Sequence, residues 1–286
     1  DDETAIEAGL LVPGRDGRQP FSRFRDRLMF PIWDQGGRVI GFGGRLLADG
    51  VRAPRYLNSP ETALFSKRNT LYGAHLAAKA AKESASIIVV EGYTDCISLF
   101  QHGIENVVAS LGTAFTEQQA RWLARLAEKI IIAFDADAAG EAATLRSLDM
   151  LAELGMRVAV VTMAPGQDPD EFVRQQGPDR FRAAVGTAVP LTEYKLNKVL
   201  AESTLNTVED RARAVERAVA IVGRLESAVE REGYIHFIAE RCGVTPESVR
   251  AELLRTHANL TKSGGPGHTP EKNRHNNKGF PRRDNE

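Results

Sequence analysis

The sequence predicts an α/β protein in three parts, and three observations point to it. Between residues 85 and 172, short apolar runs alternate with amphipathic stretches. That is the pattern of a parallel, Rossmann-like sheet covered by helices on both faces. Residues 1–84 are rich in Gly, Pro and Arg with short strand-like runs, which predicts a small mixed α+β subdomain. Residues 173–257 carry apolar side chains at helical spacing and predict a helical subdomain. Residues 258–286 have almost no hydrophobes and are expected to form a disordered linker.

The elements follow in order. "RLMFPIWD" and "RVIGFGGRLL" flank a "QGG" turn and read as a hairpin. The alanine-rich "YGAHLAAKAAKES" makes a helix leading into the middle region. "SIIVV" is a continuous apolar strand, and "EGYTDCISLFQHG" a helix closed by Gly103. "NVVAS" is the second strand. In "FTEQQARWLARLAEK", Thr116 with Gln119 three residues on has the spacing of a capping box. "IIIAF", the helix "AGEAATLRSLDMLAELG" and the strand "RVAVVTM" complete the alternation. Four helical stretches follow, the last opened by Thr245 as cap and Pro246 in its first turn.

With 286 residues, 42% of them hydrophobic, the chain can bury a sizeable core. No apolar run approaches the ~18–20 residues of a membrane span. No secretory signal pattern opens the chain, so no membrane partner is expected, and the sparse cysteines suit a reducing, cytoplasmic location. The first residue is Asp1, which suggests an excised piece of a longer protein. Two distant cysteines, Cys96 and Cys242, exclude a zinc ribbon or disulfide framework within it, and no zinc is expected. The net charge of −1 hides an asymmetry: between Arg15 and Arg68 stand 11 Arg and Lys against 5 acids. Basic side chains set among aromatics and glycines suggest a nucleic-acid or nucleotide partner.

In parallel α/β sheets, sites lie at the carboxyl ends of the strands. Three of the four strand ends here deliver acids: Glu91 with Asp95 a turn later, Asp135 with Asp137, and Asp168 with Asp170. In extended chain, residues i and i+2 point the same way, so Asp135 and Asp137 can converge. Crowded carboxylates repel unless a cation holds them. Oxygen ligands without His or Cys favour Mg²⁺ or Mn²⁺, with two or more ions where five or six carboxylates gather. Such a pair clamps the attacking and leaving oxygens of phosphoryl transfer. Plainer readings stand beside this one. Asp-x-Asp after a strand also serves as helix cap plus solvated acid, Asp170 could cap the helix after Pro169, and Asp95 suits a helix first turn.

"VVEGYTD" followed by "FDADAAGEAA" resembles the Toprim domain shared by topoisomerases and bacterial primases. "RDRLMFPIWD", "GRVIGFGGR", "RYLNSPET", "LFSKRNTLYG", "ASLGTAFT" and "DPDEFVR" add a wider likeness, to the catalytic core of bacterial DnaG-type primases, running to about residue 250. This resemblance implies synthesis of short RNA primers on single-stranded DNA from ribonucleoside triphosphates with divalent metal, leaving an RNA–DNA hybrid. By position, Glu91, Asp135 and Asp137 match the catalytic, metal-binding acids, and Asp95, Asp168 and Asp170 the supporting acids. Arg27, Arg45, Arg55, Tyr56, Asn58 and Lys67 match positions implied to contact template or nucleotide. The family's zinc-binding domain would precede this core, and its contact with the replicative helicase would come from a domain after the linker. Without them the piece is expected to initiate poorly. The competing functions are a Toprim-type metal-dependent nuclease and a non-catalytic DNA- or helicase-binding module. A topoisomerase would need a DNA-gate domain, and a haloacid-dehalogenase-like phosphatase a different residue pair after Asp137.

Overall fold

The computed structural model describes residues 1–48, 50, 52–112, 116–134, 141–164 and 166–263. The chain divides into two compact units, Asp1–Tyr194 and Lys195–Glu286.

The first unit holds a five-stranded sheet in the order Val189–Pro190, Arg157–Val160, Lys129–Ile132, Ser86–Val90 and Val107–Ala109. The last four are parallel, as the apolar runs require, with Val89 opposite both Val108 and Ile132. The edge strand Val189–Pro190 runs antiparallel to Arg157–Val160. Two residues ending in proline carry no periodicity, so sequence pattern could not reveal it. Alternation along the strands splits the core into two layers. Ile87, Val89, Ile130, Ile132 and Val158 pack with Ala77, Ala81, Leu123, Leu148 and Leu151, from the helices Ala74–Ser84, Glu117–Ala124 and Glu141–Glu153. On the other face, Ile88, Val90, Ile131 and Val107 pack with Leu99, Val173 and Phe181. These come from the helices Tyr93–Gln101, Pro169–Gln176 and Pro178–Gly186. Each Val, Leu, Ile or Phe among them contributes about 1.5–3 kcal/mol by leaving water. The helices at 169–186 therefore complete the sheet's second layer, although their periodicity placed them mainly in the helical region. Thr116 and Gln119 form the expected capping box.

The hairpin is present as Arg27–Trp33 and Val39–Leu46, joined by a third antiparallel strand, Tyr56–Asn58. Its register creates cross-strand rows on one face: Leu28–Arg45–Tyr56, then Phe30–Gly43–Asn58, then Ile32–Gly41. The two glycines leave room on that face. A Cβ at Gly41 would lie 3.1 Å from the Phe65 ring, and one at Gly43 would lie 2.9 Å from Tyr93 Cε1. Ile32, Phe65, Tyr93 and Leu111 thus form a small core between the three-stranded sheet and the parallel one. Reciprocal backbone bonds between Tyr72 and Ala109, at 2.9 and 3.0 Å, add a second tie.

The second unit is helical. Val208–Val222, Ala228–Cys242 and Pro246–Ser263 pack through Val215, Val219, Ile235, Ile238, Val249 and Leu253. Thr207 and Ser227 cap the first two of these by accepting from Asp210 N and Glu230 N. Arg250 bridges Glu232 and Glu247 on its surface. The last helix runs past residue 257, where the linker was expected to begin, and residues 264–286 lie outside the described set.

Candidate active site

The site is built at the carboxyl end of the parallel strands. Ser86–Val90 ends in Glu91 and Gly92, and the chain turns at once into the helix Tyr93–Gln101. Asp95 is 7% exposed, and its Oδ2 accepts from Gly92 N at 3.1 Å, closing the helix start. This is the first-turn role of the plainer reading, and it fixes the backbone that carries Glu91. Val107–Ala109 ends in Ser110, Leu111 and Gly112. Leu111 has φ 60 and Gly112 φ 71. A branched, 5% exposed leucine in the left-handed region stores backbone strain of the kind that gathers at functional sites. After Arg157–Val160, Asp168 caps the helix Pro169–Gln176, accepting from Glu171 N at 2.6 Å. The cap is Asp168 and not Asp170, because Pro169 occupies the first helical position. Asp170 instead pairs with Arg174 one turn on, at 3.0 Å.

A cleft of ≈ 560 Å³ is lined by Glu91, Asp95, Asp168 and Asp170 together with Arg45, Arg55 and Tyr56. Acids from two strand ends thus share one cavity with cations from the three-stranded sheet. The Arg45 guanidinium lies 5.9 Å from the Tyr56 ring centre, and Tyr56 meets Tyr93 edge-on at 5.5 Å. Tyr56 is 43% exposed, leaving an aromatic surface open beside two arginines. Tyr93 sits beneath it, 4% exposed, against Phe30 at 4.7 Å. Burial, reinforced by Tyr56, pushes the Tyr93 phenol up to about 12, so it stays neutral at physiological pH.

Three expected residues do not line the cleft. Arg27 alternates onto the opposite face of its strand, where it lies across Gly44 and donates to Gly44 O at 3.1 Å and Arg55 O at 3.4 Å. There it braces the sheet. Asn58 is on the correct face but beneath Tyr93, in the Gly43 row. Lys67 follows Ser66 in a short turn, donating its backbone N–H to Glu61 Oε1 at 2.9 Å and accepting from Gln119 Nε2 at 3.1 Å. Asp135 and Asp137 lie outside the described residues. Six further lining residues are not among those expected from the sequence: Gly92, Tyr93, Thr94, Leu111, Gly112 and Arg174. Arg174 was detectable, since it stands i+4 from Asp170 on a helix. Nothing in a leucine foretells a positive φ.

Among the described residues, no group of three or more His, Cys, Asp or Glu could hold a metal ion. The cleft's donors are nonetheless carboxylate oxygens with no His or Cys, the chemistry of a hard cation. Mg²⁺ in particular is commonly held by one or two carboxylates plus substrate phosphates. The donor set fits such an ion.

Three family models match the chain. Residues 1–78 match the N-terminal domain of the DNA primase catalytic core, 88–173 a Toprim-like domain, and 192–247 the DnaB-helicase binding domain of primase. The last lies within the chain, whereas the sequence reading put helicase contact beyond the linker. Among curated relatives, the DNA primase of Clostridium acetobutylicum is 44% identical over 259 residues, 91% of this chain and 42% of that protein. That of Escherichia coli K12 is 36% identical, over 88% of this chain and 43% of its own. The chain therefore spans about two fifths of these proteins. Among solved structures, a DNA primase domain from Pseudomonas aeruginosa superposes with TM-score 0.72 at 39% identity, covering 88% of this chain and 79% of that one. The RNA polymerase domain of Mycobacterium tuberculosis primase DnaG bound to double-stranded DNA gives 0.73 at 34%, covering 86% and 78%.

Proposed function

The chain belongs to the bacterial DnaG-type DNA primase family, and on that premise we propose that it synthesises short RNA primers on single-stranded DNA from ribonucleoside triphosphates. The observation that carries this reading is the single cleft in which carboxylates face Arg45, Arg55 and an exposed tyrosine ring. A nuclease needs the acids but has less use for a cationic and aromatic wall opposite them.

Glu91 would hold divalent metal with Asp135 and Asp137, and Asp168 and Asp170 would support them. Mg²⁺ or Mn²⁺ bound there supplies neutralisation of the triphosphate and of the charge developing in transfer. The side chains do the remaining work. Arg45 and Arg55 bind phosphate oxygens of nucleotide or template, a largely sequence-independent and salt-sensitive attraction. Tyr56, held by Tyr93 and flanked by Arg45, offers a face on which a base can stack. Asp95 keeps the Glu91 turn in register through its bond to Gly92. So aligned, the primer 3′-oxygen forms a bond to the α-phosphorus of the incoming nucleotide, and the bond from that phosphorus to the bridging oxygen of pyrophosphate breaks. The hydroxyl proton passes to solvent. Placement of this kind is where most of the advantage in phosphoryl transfer lies. The second unit is the part of the chain that would contact a DnaB-type helicase, at the replication fork in the bacterial cytoplasm.

The test is incubation with single-stranded DNA, labelled ribonucleotides and Mg²⁺ or Mn²⁺. Metal-dependent RNA oligomers are the expected product. Cutting of the DNA without RNA synthesis would instead support the Toprim nuclease.

A further inference from the structure

A second cavity, of ≈ 340 Å³, opens at the other end of the same hairpin. Its size is within the range of small-molecule sites. Trp33 and Trp122 line it, and they are the chain's only two tryptophans. Trp33 stands five residues from Leu28, so the cavity lies about 16–17 Å along the strand from the cleft row, at ~3.3 Å per residue.

Several features hold Trp33 at this place. Ile32 pairs with Gly41 but Trp33 pairs with Val39, so the facing strand carries an extra residue, Ile40, in a bulge opposite Trp33. Bulges re-aim side chains and are common beside functional sites. The His75 ring backs the indole, with centroids 5.5 Å apart and planes at 33°. Burial lowers the His75 pKa and favours the neutral ring, and its Nδ1 is buried with no hydrogen-bond partner. The wall beside Trp122 is fixed by Gln119, whose Nε2 donates to Thr70 O at 2.8 Å.

The polar rim has a particular character. Asp34 and Arg38 neutralise each other, with Arg38 Nε 2.8 Å and Nη2 2.7 Å from Asp34 Oδ2. The exposed amide side chains of Gln35 and Asn69 stand on the same rim. Two large aromatic rings, two amides and a cancelled charge suit a flat heterocycle with donor and acceptor edges better than a phosphate.

We propose that this cavity binds a single nucleobase, stacked on Trp33 or Trp122 and read at its edge by Gln35 and Asn69. The base belongs either to a template strand continuing from the cleft or to a free nucleotide. The template source rests on the function proposed above, and the base-binding chemistry does not.

Because both tryptophans line the cavity, intrinsic fluorescence reports on it directly. The intact chain would be titrated with a fluorescein-labelled single-stranded oligodeoxynucleotide read by anisotropy, with the unlabelled strand read by tryptophan emission, and with an abasic strand of equal length. Nucleoside monophosphates would form a separate arm. The expected result is saturable quenching by the base-bearing strand and not by the abasic one, with Trp33→Ala weakening strand binding about fivefold or more. Asn69→Ala, an exposed change that leaves the fold intact, should weaken it as well. Quenching by monophosphates alone would support the free-nucleotide source. Strand binding by anisotropy without base-dependent quenching, and with no quenching by monophosphates, would overturn the proposal. If no strand binds at all, the functional reading fails and the monophosphate arm decides alone: quenching supports the cavity's role and silence refutes it.

Discussion

Replacing Glu91 by Gln is expected to cut RNA synthesis by about 100-fold or more while leaving stability within about 0.5 kcal/mol. Gln keeps the shape and removes one negative charge from a side chain that is exposed at the mouth of the cleft. No aliphatic packing is lost, so unfolding by urea should be nearly unchanged. The chemistry is affected because a carboxylate facing a triphosphate is tolerable only through the cation it shares with it, and a neutral amide is a poor ligand for a hard ion. A loss of this size corresponds to several kcal/mol of transition-state stabilisation, the scale of a bound metal's contribution. The check is nucleotide incorporation beside an unfolding curve. Incorporation near the unsubstituted rate would mean that Glu91 is not a metal ligand.

Gly43→Ala should also impair activity, although residue 43 would touch no substrate. Its new Cβ would lie 2.9 Å from Tyr93 Cε1, 3.0 Å from Tyr93 Cζ and 3.2 Å from Asn58 Oδ1. These neighbours are a ring packed on three other aromatics and a partly buried amide, neither free to retreat. Overpacking of this kind costs about 1–3 kcal/mol. Tyr93 lies between Glu91 and Asp95 at the start of its helix, so its displacement moves the site. An ångström of misplacement can cost about 100-fold in rate, and at least a tenfold loss is expected here. Gly44→Ala is the matched control, since its Cβ would meet Arg27 Cδ and Phe24 Cδ1, both at 3.0 Å, on the opposite face. It should destabilise without the same loss of rate. Equal loss of rate in both variants, once corrected for folded fraction, would refute the face-specific role.

The parallel sheet was legible because buried strands must be apolar throughout, and "SIIVV" and "IIIAF" have no other use for such runs. The acids at the strand ends were legible for the complementary reason, that charge interrupts those runs only where the chain leaves the core. That Arg27 does not line the cleft could not be read from the sequence, because its face depends on pairing. Only the register Leu28 to Arg45 reveals that Arg45 and Arg27 alternate onto opposite sides. The cap at Asp168 could have been read directly, since a proline at the first helical position makes its predecessor the cap. Tyr93 has no sequence signal of its own, because its role depends on Gly43, fifty residues earlier. The left-handed Leu111 had no signal at all, because its partners in the small core, Ile32, Phe65 and Tyr93, are distant in sequence.

The most direct measurement is extension of a ready-made RNA primer annealed to a DNA template, with labelled ribonucleotides and Mg²⁺ or Mn²⁺. Wild type and Asp135→Ala would run side by side. Supplying the primer removes any dependence on initiation, so only the transfer step is read. Metal-dependent extension by wild type, and at least about 100-fold less by the variant, is the expected result. Equal extension by both would contradict the assignment of the strand-end aspartates, and DNA cleavage without extension would contradict the polymerase itself.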